Sequence, residues 1–404
     1  MKKVLIIGAG ASGLATSLKL SNNEVTILEK NNMSGKKLLI TGNGRCNYFN
    51  DKHSILNYHS SSDNLNNFIK ESDFDNIKAF FDSIGIEPAI KDGYYYPKSK
   101  EAISFRNVLE LEAKLRGVNI IYNTNVIDIK KDNEIFTVYT SNGIKYEADY
   151  VVVATGGCTY ENTGSDGKCL EIIKKLGHKI IKPLPGLVQL ESDDKIKNAS
   201  GVRTKVELTL YEDNIKIKNE IGELQITDYG ISGICVMQLS SIVSKGLDNG
   251  KKEVIGINFL PEVSDVFYWL TEKSKKLDNR NISQLLEGII NYKLIKLILR
   301  KSKIEENEYL TDLTEERIKK LCDNITNYQV NITKTKGFSS AQITVGGISL
   351  QDVTSNFESK IINNLFFTGE ILDVNGDCGG YNLMFAWLSA LRVGEYINDK
   401  TKTN

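Results

Sequence analysis

The chain opens on a continuous apolar run, Val4-Leu5-Ile6-Ile7, that breaks into glycines. Near its end a second run, Leu365-Phe366-Phe367, breaks into Thr368-Gly369-Glu370. Short apolar runs bounded by turn residues read as strands buried on both faces, and the second is too apolar for an exposed sheet edge. After the first run, helical spacing predicts a helix over 14–20, and Val25-Thr26-Ile27-Leu28 predicts the next strand. Periodicity then predicts helices at 64–71, 76–84 and 101–116, and a strand and turn at 93–97. Strands are expected at 119–122, 126–130, 135–140, 145–148 and 150–153. Pro183-Leu184-Pro185-Gly186 marks a boundary. Past it, alternation of period two predicts antiparallel strands at 206–211, 215–218, 224–227 and 253–259. Helices follow at 263–276, 283–300 and 315–324, then strands at 328–333 and 341–345. The Lys- and Glu-rich stretch 300–320 reads as solvated surface. The last periodic segment, 382–396, predicts a helix led by Gly379-Gly380.

This order implies an α/β fold in which a Rossmann-like domain, residues 1–186 with 346–404, is interrupted by a β-rich insertion. The insertion spans 187–345 and carries a small helical cap over 262–325. A chain of 404 residues exceeds one comfortable core, so the division is physically expected.

The glycines bring in chemistry. Gly8 permits a tight turn, Gly10 lets backbone approach a pyrophosphate, and Gly13 lets the helix pack on its strand. The helix start then offers free N–H groups and a positive dipole end to phosphate. Glu29, at the end of the second strand, is placed to hydrogen-bond a ribose hydroxyl and argues against a 2′-phosphate there. The carboxyl-terminal block selects the dinucleotide. A chain that returns at its end with a strand and a second glycine-led helix suits FAD, which binds extended and needs a separate wall for its ring. The second helix start would stabilise an anionic reduced flavin by about 0.3–2 kcal/mol. No histidine or cysteine is placed to suggest a covalent link, so the expected cofactor is non-covalent FAD. No second glycine fingerprint and no C-x-x-x-x-C motif occur, so a nicotinamide nucleotide is expected only as a transient visitor.

Bulk properties narrow the classes. Lys+Arg and Asp+Glu are both 51, so overall charge gives no support to nucleic-acid binding. Met1-Lys2-Lys3 before an apolar run resembles a signal peptide, but the fingerprint glycines and the following acid point to a nucleotide site. Cysteines at 46, 158, 169, 235, 322 and 378 have neither zinc nor redox spacing and read as free thiols in a cytoplasmic protein. No membrane span and no metal site are expected, and oligomeric state is left open.

With these motifs in view, the chain resembles the flavoproteins grouped with BaiN and aminoacetone oxidase, a family of NAD(P)/FAD-dependent oxidoreductases. The landmarks run nearly end to end: the glycine fingerprint, Leu28-Glu29-Lys30, Gly35-Lys36-Lys37-Leu38-Leu39-Ile40-Thr41-Gly42-Asn43-Gly44-Arg45-Cys46-Asn47, Tyr96-Pro97, Ala154-Thr155-Gly156-Gly157, Gly346-Gly347 and the block 367–387. The resemblance implies FAD contacts at Gly8, Gly10, Ala11, Ser12, Gly13, Glu29, Lys30, Lys37, Thr41, Gly42, Gly44, Arg45, Cys46, Asn47 and Val126. It implies further contacts at Ala154, Thr155, Gly156, Gly369, Glu370, Asp373, Gly380, Tyr381, Asn382 and Leu383. Departures occur where many relatives carry Thr-His and Ser-Gly-Pro. This chain has Thr227-Asp228 and Ser232-Gly233-Ile234 there, and Asp377-Cys378 near the expected flavin.

Asp228, Tyr229, Asp377 and Tyr381 are chemically able to donate a proton, but each also reads as a turn, loop or packing residue, so no catalytic residue is assigned. Arg45 reads equally as a phosphate ligand or a loop brace, and Cys46 as a packing residue rather than a redox thiol unless Cys378 approaches it. Substrate is expected between insertion and FAD domain, with Asp228, Tyr229, Ser232, Gly346 and Gly347 on the insertion side. Three activities fit. The leading one is hydride transfer between flavin N5 and a small organic substrate, including NAD(P)H-dependent reduction of an activated C=C in a steroid-like or bile-acid-like molecule. The alternatives are an oxidase of an amine or aminoketone, and a flavin-stabilised binding or RNA-modifying protein.

Overall fold

The first apolar run forms β1 (Lys2–Ile7), the middle of a five-stranded parallel sheet, between Tyr150–Val153 and β2 (Asn23–Leu28). An inner strand buries both faces, and residues 4–7 are all buried and apolar. Leu365–Phe367 lies outside Tyr150–Val153, and Asn119–Ile121 outside β2. Ile7 stands opposite Leu28 and Val153, and Val153 opposite Phe367. Four strands therefore end in one row and deliver Gly8, Glu29, Ala154 and Thr368 to a single crest. The carboxyl ends of parallel strands are where such sheets bind ligands. Helix α1 (Ala11–Lys19) packs on the C-terminal helix, Tyr381–Lys402. Gly394 permits the approach, because a methyl there would lie 2.7 Å from Cβ of Lys19.

The computed structural model describes residues 1–402 and divides into two units, Met1–Leu184 with Gln342–Asn404, and Pro185–Ala341. In the first unit three expectations need correction. Leu365–Phe367 is the sheet edge after all. Its outer side is covered by residues 357–359, with Ser359 N–H donating to Leu365 O and Phe367 N–H to Phe357 O. The expected helices at 64–71 and 76–84 are one 3-10 turn, Leu65–Asn67, and one helix, Glu71–Ser83. Asp73 sets the helix start by accepting the Lys70 N–H at 2.7 Å. Finally, residues 343–345 belong to Ile343–Ile348, which pairs with Ile180–Gly186, so the first unit resumes at 342 rather than 346.

The second unit is a seven-stranded antiparallel sheet with helices. The segments 215–218 and 224–227 are one strand, Ile215–Ile226, held along its length by Arg203–Glu212. The stretch 283–300 is two helices, Ile282–Leu286 and Tyr292–Ser302, because Asn291 caps the second by accepting the Lys293 N–H at 3.0 Å. A helix at Ile234–Asp248 was not anticipated; it buries Val236, Leu239 and Val243. Among the described residues no helix is long and apolar enough to cross a membrane, and no cluster of His, Cys, Asp and Glu could hold a metal ion.

Candidate cofactor and active site

The fingerprint glycines separate by what a side chain would meet. A methyl on Gly8 (φ +103°) would lie 2.7 Å from the Ala154 oxygen, and one on Gly13 1.9 Å from the Gly8 oxygen. Both positions are closed by the protein itself. A methyl on Gly10 would meet nothing within 4 Å. Its absence is not required by packing, so the open space above Gly10 is the observation that fits an external ligand. Helix α1 starts there without a side-chain cap, and its first helical bond runs from Leu14 N–H to Gly10 O at 3.0 Å. The N–H groups of Ala11, Ser12 and Gly13 precede that bond and suit an anion. Beside them, the fully buried Thr368 Oγ1 has no hydrogen-bond partner within the protein.

Glu29 ends β2 with a buried carboxylate. Oε2 accepts from Ala9 N–H at 2.8 Å, and Oε1 from both Asn31 N–H and Asn31 Nδ2 at 2.8 Å. The acid thus braces the glycine turn, and Oε2 keeps acceptor capacity for a hydroxyl. Lys30 pairs with Asp166 at 3.0 Å. Thr124 N–H donates to Glu29 O at 2.9 Å, which sets the half-buried Val126 two residues on, at the head of Val126–Asp132. Lys37 Nζ reaches Thr159 Oγ1 at 2.6 Å and Glu370 Oε2 at 2.8 Å, and Glu370 Oε1 accepts from Thr344 N–H at 2.7 Å. Lys37 and Glu370 are therefore each other's partners across the crest. A methyl on Gly156 (φ +74°) would lie 2.7 Å from Ser165 Oγ, so the turn following Ala154-Thr155 is also packed tight.

The loop 41–47 takes an unusual path, with positive φ at Gly42, Asn43, Gly44 and Cys46. Cys46 N–H closes it by donating to Thr41 O at 3.0 Å. Arg45 is a brace: Nε donates to Gly42 O at 3.3 Å and the guanidinium lies 5.1 Å from the Tyr96 ring centre. Burial pushes the Cys46 thiol up to about 12, so it stays protonated and packs. None of the six cysteines is in a disulfide.

The C-terminal block is stitched to a segment that carried no signal in the pattern. Asp373 Oδ2 accepts from Ser61 N–H at 2.9 Å and Ser60 Oγ at 3.3 Å. Asp377 accepts from Asn57 Nδ2 at 3.2 Å and contacts His59 Nε2 at 3.0 Å. The strands Asn375–Gly376 and Tyr58–His59 pair antiparallel between these contacts. Asn382 clamps the turn, accepting from Gly376 N–H at 2.8 Å and donating to Gly376 O at 2.9 Å. A methyl on Gly380 would lie 3.2 Å from the Asn47 side chain, so the helix start sits against the 41–47 loop. Leu383 lies half-buried in its first turn. Gly369 (φ +73°) donates its N–H to Ser389 Oγ at 2.9 Å, under Ser12.

Of the candidate proton donors, Tyr381 gives its hydroxyl proton to Lys52 O at 2.8 Å, and burial, then Tyr94 and Asp377, push it up to about 12. Asp228, Tyr229 and Ser232 belong to the second unit, where Lys336 Nζ lies 4.1 Å from the Tyr229 ring centre. Gly346 and Gly347, expected on the insertion side, belong to the first unit. Methyls on them would lie 2.5 Å from Lys182 O and 2.4 Å from Ile371 O.

Over residues 2–396 the chain matches the model of the HI0933-like protein Rossmann domain. A 3-dehydro-bile acid delta(4,6)-reductase of Clostridium scindens is 34% identical over 403 residues, 98% of each chain. A ribosomal RNA dihydrouridine synthase of Haemophilus influenzae is 27% identical over 402 residues, 96% of each chain. Among solved structures, a 3-ketosteroid-delta4-(5alpha)-dehydrogenase from Rhodococcus jostii RHA1 superposes with a TM-score of 0.47 at 14% identity, covering 97% of this chain and 96% of its own.

Proposed function

We propose, the chain belonging to the HI0933-like Rossmann family and being an FAD-dependent oxidoreductase, that it reduces a carbon–carbon double bond conjugated to a carbonyl in a ring-bearing substrate. One observation carries the choice of bond. Two relatives matched over nearly their whole length act on different molecules, yet a delta(4,6) bond beside a 3-oxo group and the C5=C6 bond of uridine are both conjugated alkenes. In this reading the ADP half of FAD lies over Gly10, with its pyrophosphate on the N–H groups of residues 11–13 and its adenosine ribose at Glu29. Lys37 and Glu370 hold the crest between the two nucleotide-facing helix starts, and the first turn of Tyr381–Lys402 faces the ring. FAD supplies hydride at N5 when bound. The protein orients the ring and substrate, excludes water and provides a proton. A nicotinamide nucleotide serves as the electron source.

A second reading takes RNA as the substrate, favoured by the dihydrouridine synthases at 27% and 26% identity. A net charge of zero supplies none of the phosphate attraction that nucleic-acid binding normally draws on. Anaerobic stopped-flow mixing of the yellow protein with NADH and with NADPH tests the donor. The reduced protein is then mixed with a 3-oxo-delta(4,6) steroid, a ribosomal RNA transcript, or oxygen. Rapid reoxidation by the steroid is expected. Reduction only by an amine, with reoxidation only by oxygen, would overturn the reading in favour of an oxidase.

A further inference from the structure

We propose that His59, oriented by Asp377, donates the proton in this reduction; the inference rests on the reductase reading above. Adding two hydrogens across a conjugated alkene takes one hydride and one proton. Hydride forms a C–H bond at the carbon distant from the carbonyl. The alkene electron pair moves onto the carbonyl oxygen, and the carbon next to the carbonyl then takes the proton. The proton donor is left neutral and is recharged from water.

Three histidines occur in the chain. His178 is buried against Ser359, and His53 is half-buried, its ring stacked 4.0 Å from that of Phe74. His59 alone has a side chain substantially open to solvent, at 44%, while its partner Asp377 is 17% exposed. A carboxylate can only accept, so the 3.0 Å contact places a proton on Nε2 and leaves Nδ1 as the exchanging nitrogen. The carboxylate–imidazole pair is the arrangement that fixes tautomer and ring orientation in acid–base catalysis.

The position is built from two chain segments. Asp377 is held by Asn57, through its own N–H to Asn57 O at 2.9 Å and through Asn57 Nδ2. His59 stands opposite Asn375 in the short ribbon, and Asp373 secures Ser60 and Ser61 just beyond it. The same residues 375–380 lead directly into Tyr381–Lys402, whose start faces the ring in the reading above. The charged group facing His59 across the ribbon is Asp377, and Asp373 lies against the next two residues, Ser60 and Ser61.

The test uses FAD-loaded wild type, His59→Asn and Asp377→Asn. The visible band of the oxidised flavin is followed across the imidazole range, about pH 5 to 8. Wild type should show one transition and His59→Asn none, and Asp377→Asn should slow reoxidation while FAD stays bound. With dithionite-reduced protein and a 3-oxo-delta(4,6) steroid, reoxidation should slow by about 10²- to 10⁴-fold in His59→Asn, with FAD affinity retained. An identical spectral titration in His59→Asn, or an unslowed reoxidation, overturns the assignment alone. A protein that takes up no FAD overturns the reductase reading and this inference with it.

Discussion

Gly10→Ala and Gly13→Ala should separate ligand binding from folding within one four-residue stretch. Gly10 has φ −79° and ψ −167°, accessible to any residue, and an added methyl meets nothing within 4 Å. In the apoprotein two small effects oppose each other. Alanine is a poorer helix cap than glycine by about 0.5–1 kcal/mol, while stiffening the unfolded chain contributes about 0.4–1 kcal/mol. Their near cancellation leaves the melting temperature within about 4 °C of wild type. In the proposed FAD complex the same methyl would occupy the space that the pyrophosphate needs. Loss of one charge-assisted bond costs about 1.5–3 kcal/mol, so Kd for FAD should rise by about 10- to 10²-fold. Gly13→Ala should do the reverse of this in the apoprotein. Its methyl would lie 1.9 Å from Gly8 O and 3.3 Å from Ala154 Cβ, neither of which can yield without moving β1 or its neighbour. Overpacking of that kind costs about 1–3 kcal/mol or more, a fall of roughly 3–10 °C without any cofactor. Calorimetry of the apoproteins and fluorescence titration with FAD measure both quantities. Wild-type FAD affinity in Gly10→Ala, or equal apoprotein stability in the two variants, would refute the reasoning.

Three further outcomes are expected. Acid precipitation should release one FAD per chain into the supernatant, identified by chromatography; flavin left on the precipitate, or FMN, would contradict the cofactor assignment. Glu29→Gln places an amide N–H against either Ala9 N–H or the Asn31 donors, so apoprotein stability should fall by about 1–3 kcal/mol. FAD affinity should fall with it, by about one to two orders of magnitude, and an unchanged titration would place the ribose elsewhere. Glu253 lies cross-strand from Glu212 with both carboxylate oxygens buried, and burial, then Glu212, pushes it from 4.5 up to about 7. Its folded value exceeds its unfolded one, so the stability it contributes is present below pH 4.5 and lost as pH rises through 7. The melting temperature of Glu253→Gln relative to wild type should therefore climb between those limits, and a flat difference would show the carboxyl to be solvated.

What could be read from the chain follows from where each constraint resides. The crest was legible because its demands are local. Gly8 and Gly13 are closed by neighbours within the same turn and the adjacent strand, and two of the apolar runs that end there, residues 4–7 and Tyr150–Val153, are inner strands buried along their length. The edge position of Leu365–Phe367 was not legible, because residues 357–359, rather than another strand, cover it. Nor was the continuity of Ile215–Ile226. Pairing with Arg203–Glu212 carries the strand through residues 219–223, between the two segments expected from alternation. The helix Ile234–Asp248 was missed although Val236, Leu239 and Val243 have helical spacing, since it follows a strand-rich stretch at once.

The same distinction divides the site. A phosphate is met by backbone N–H groups, and the glycines that arrange backbone announce themselves in any single sequence. A proton donor is one side chain whose meaning depends on its partner. His59 has no neighbour in sequence that marks it, and Asp377, which orients it, lies 318 residues away. On its own, each residue reads as an exposed loop group. Only the antiparallel pairing of Tyr58–His59 with Asn375–Gly376 makes them one acid–base unit, beside the helix start that the glycines had already identified. The cofactor can therefore be inferred from motif chemistry, while the assignment of the proton depends on the tertiary contact and stands or falls with His59→Asn.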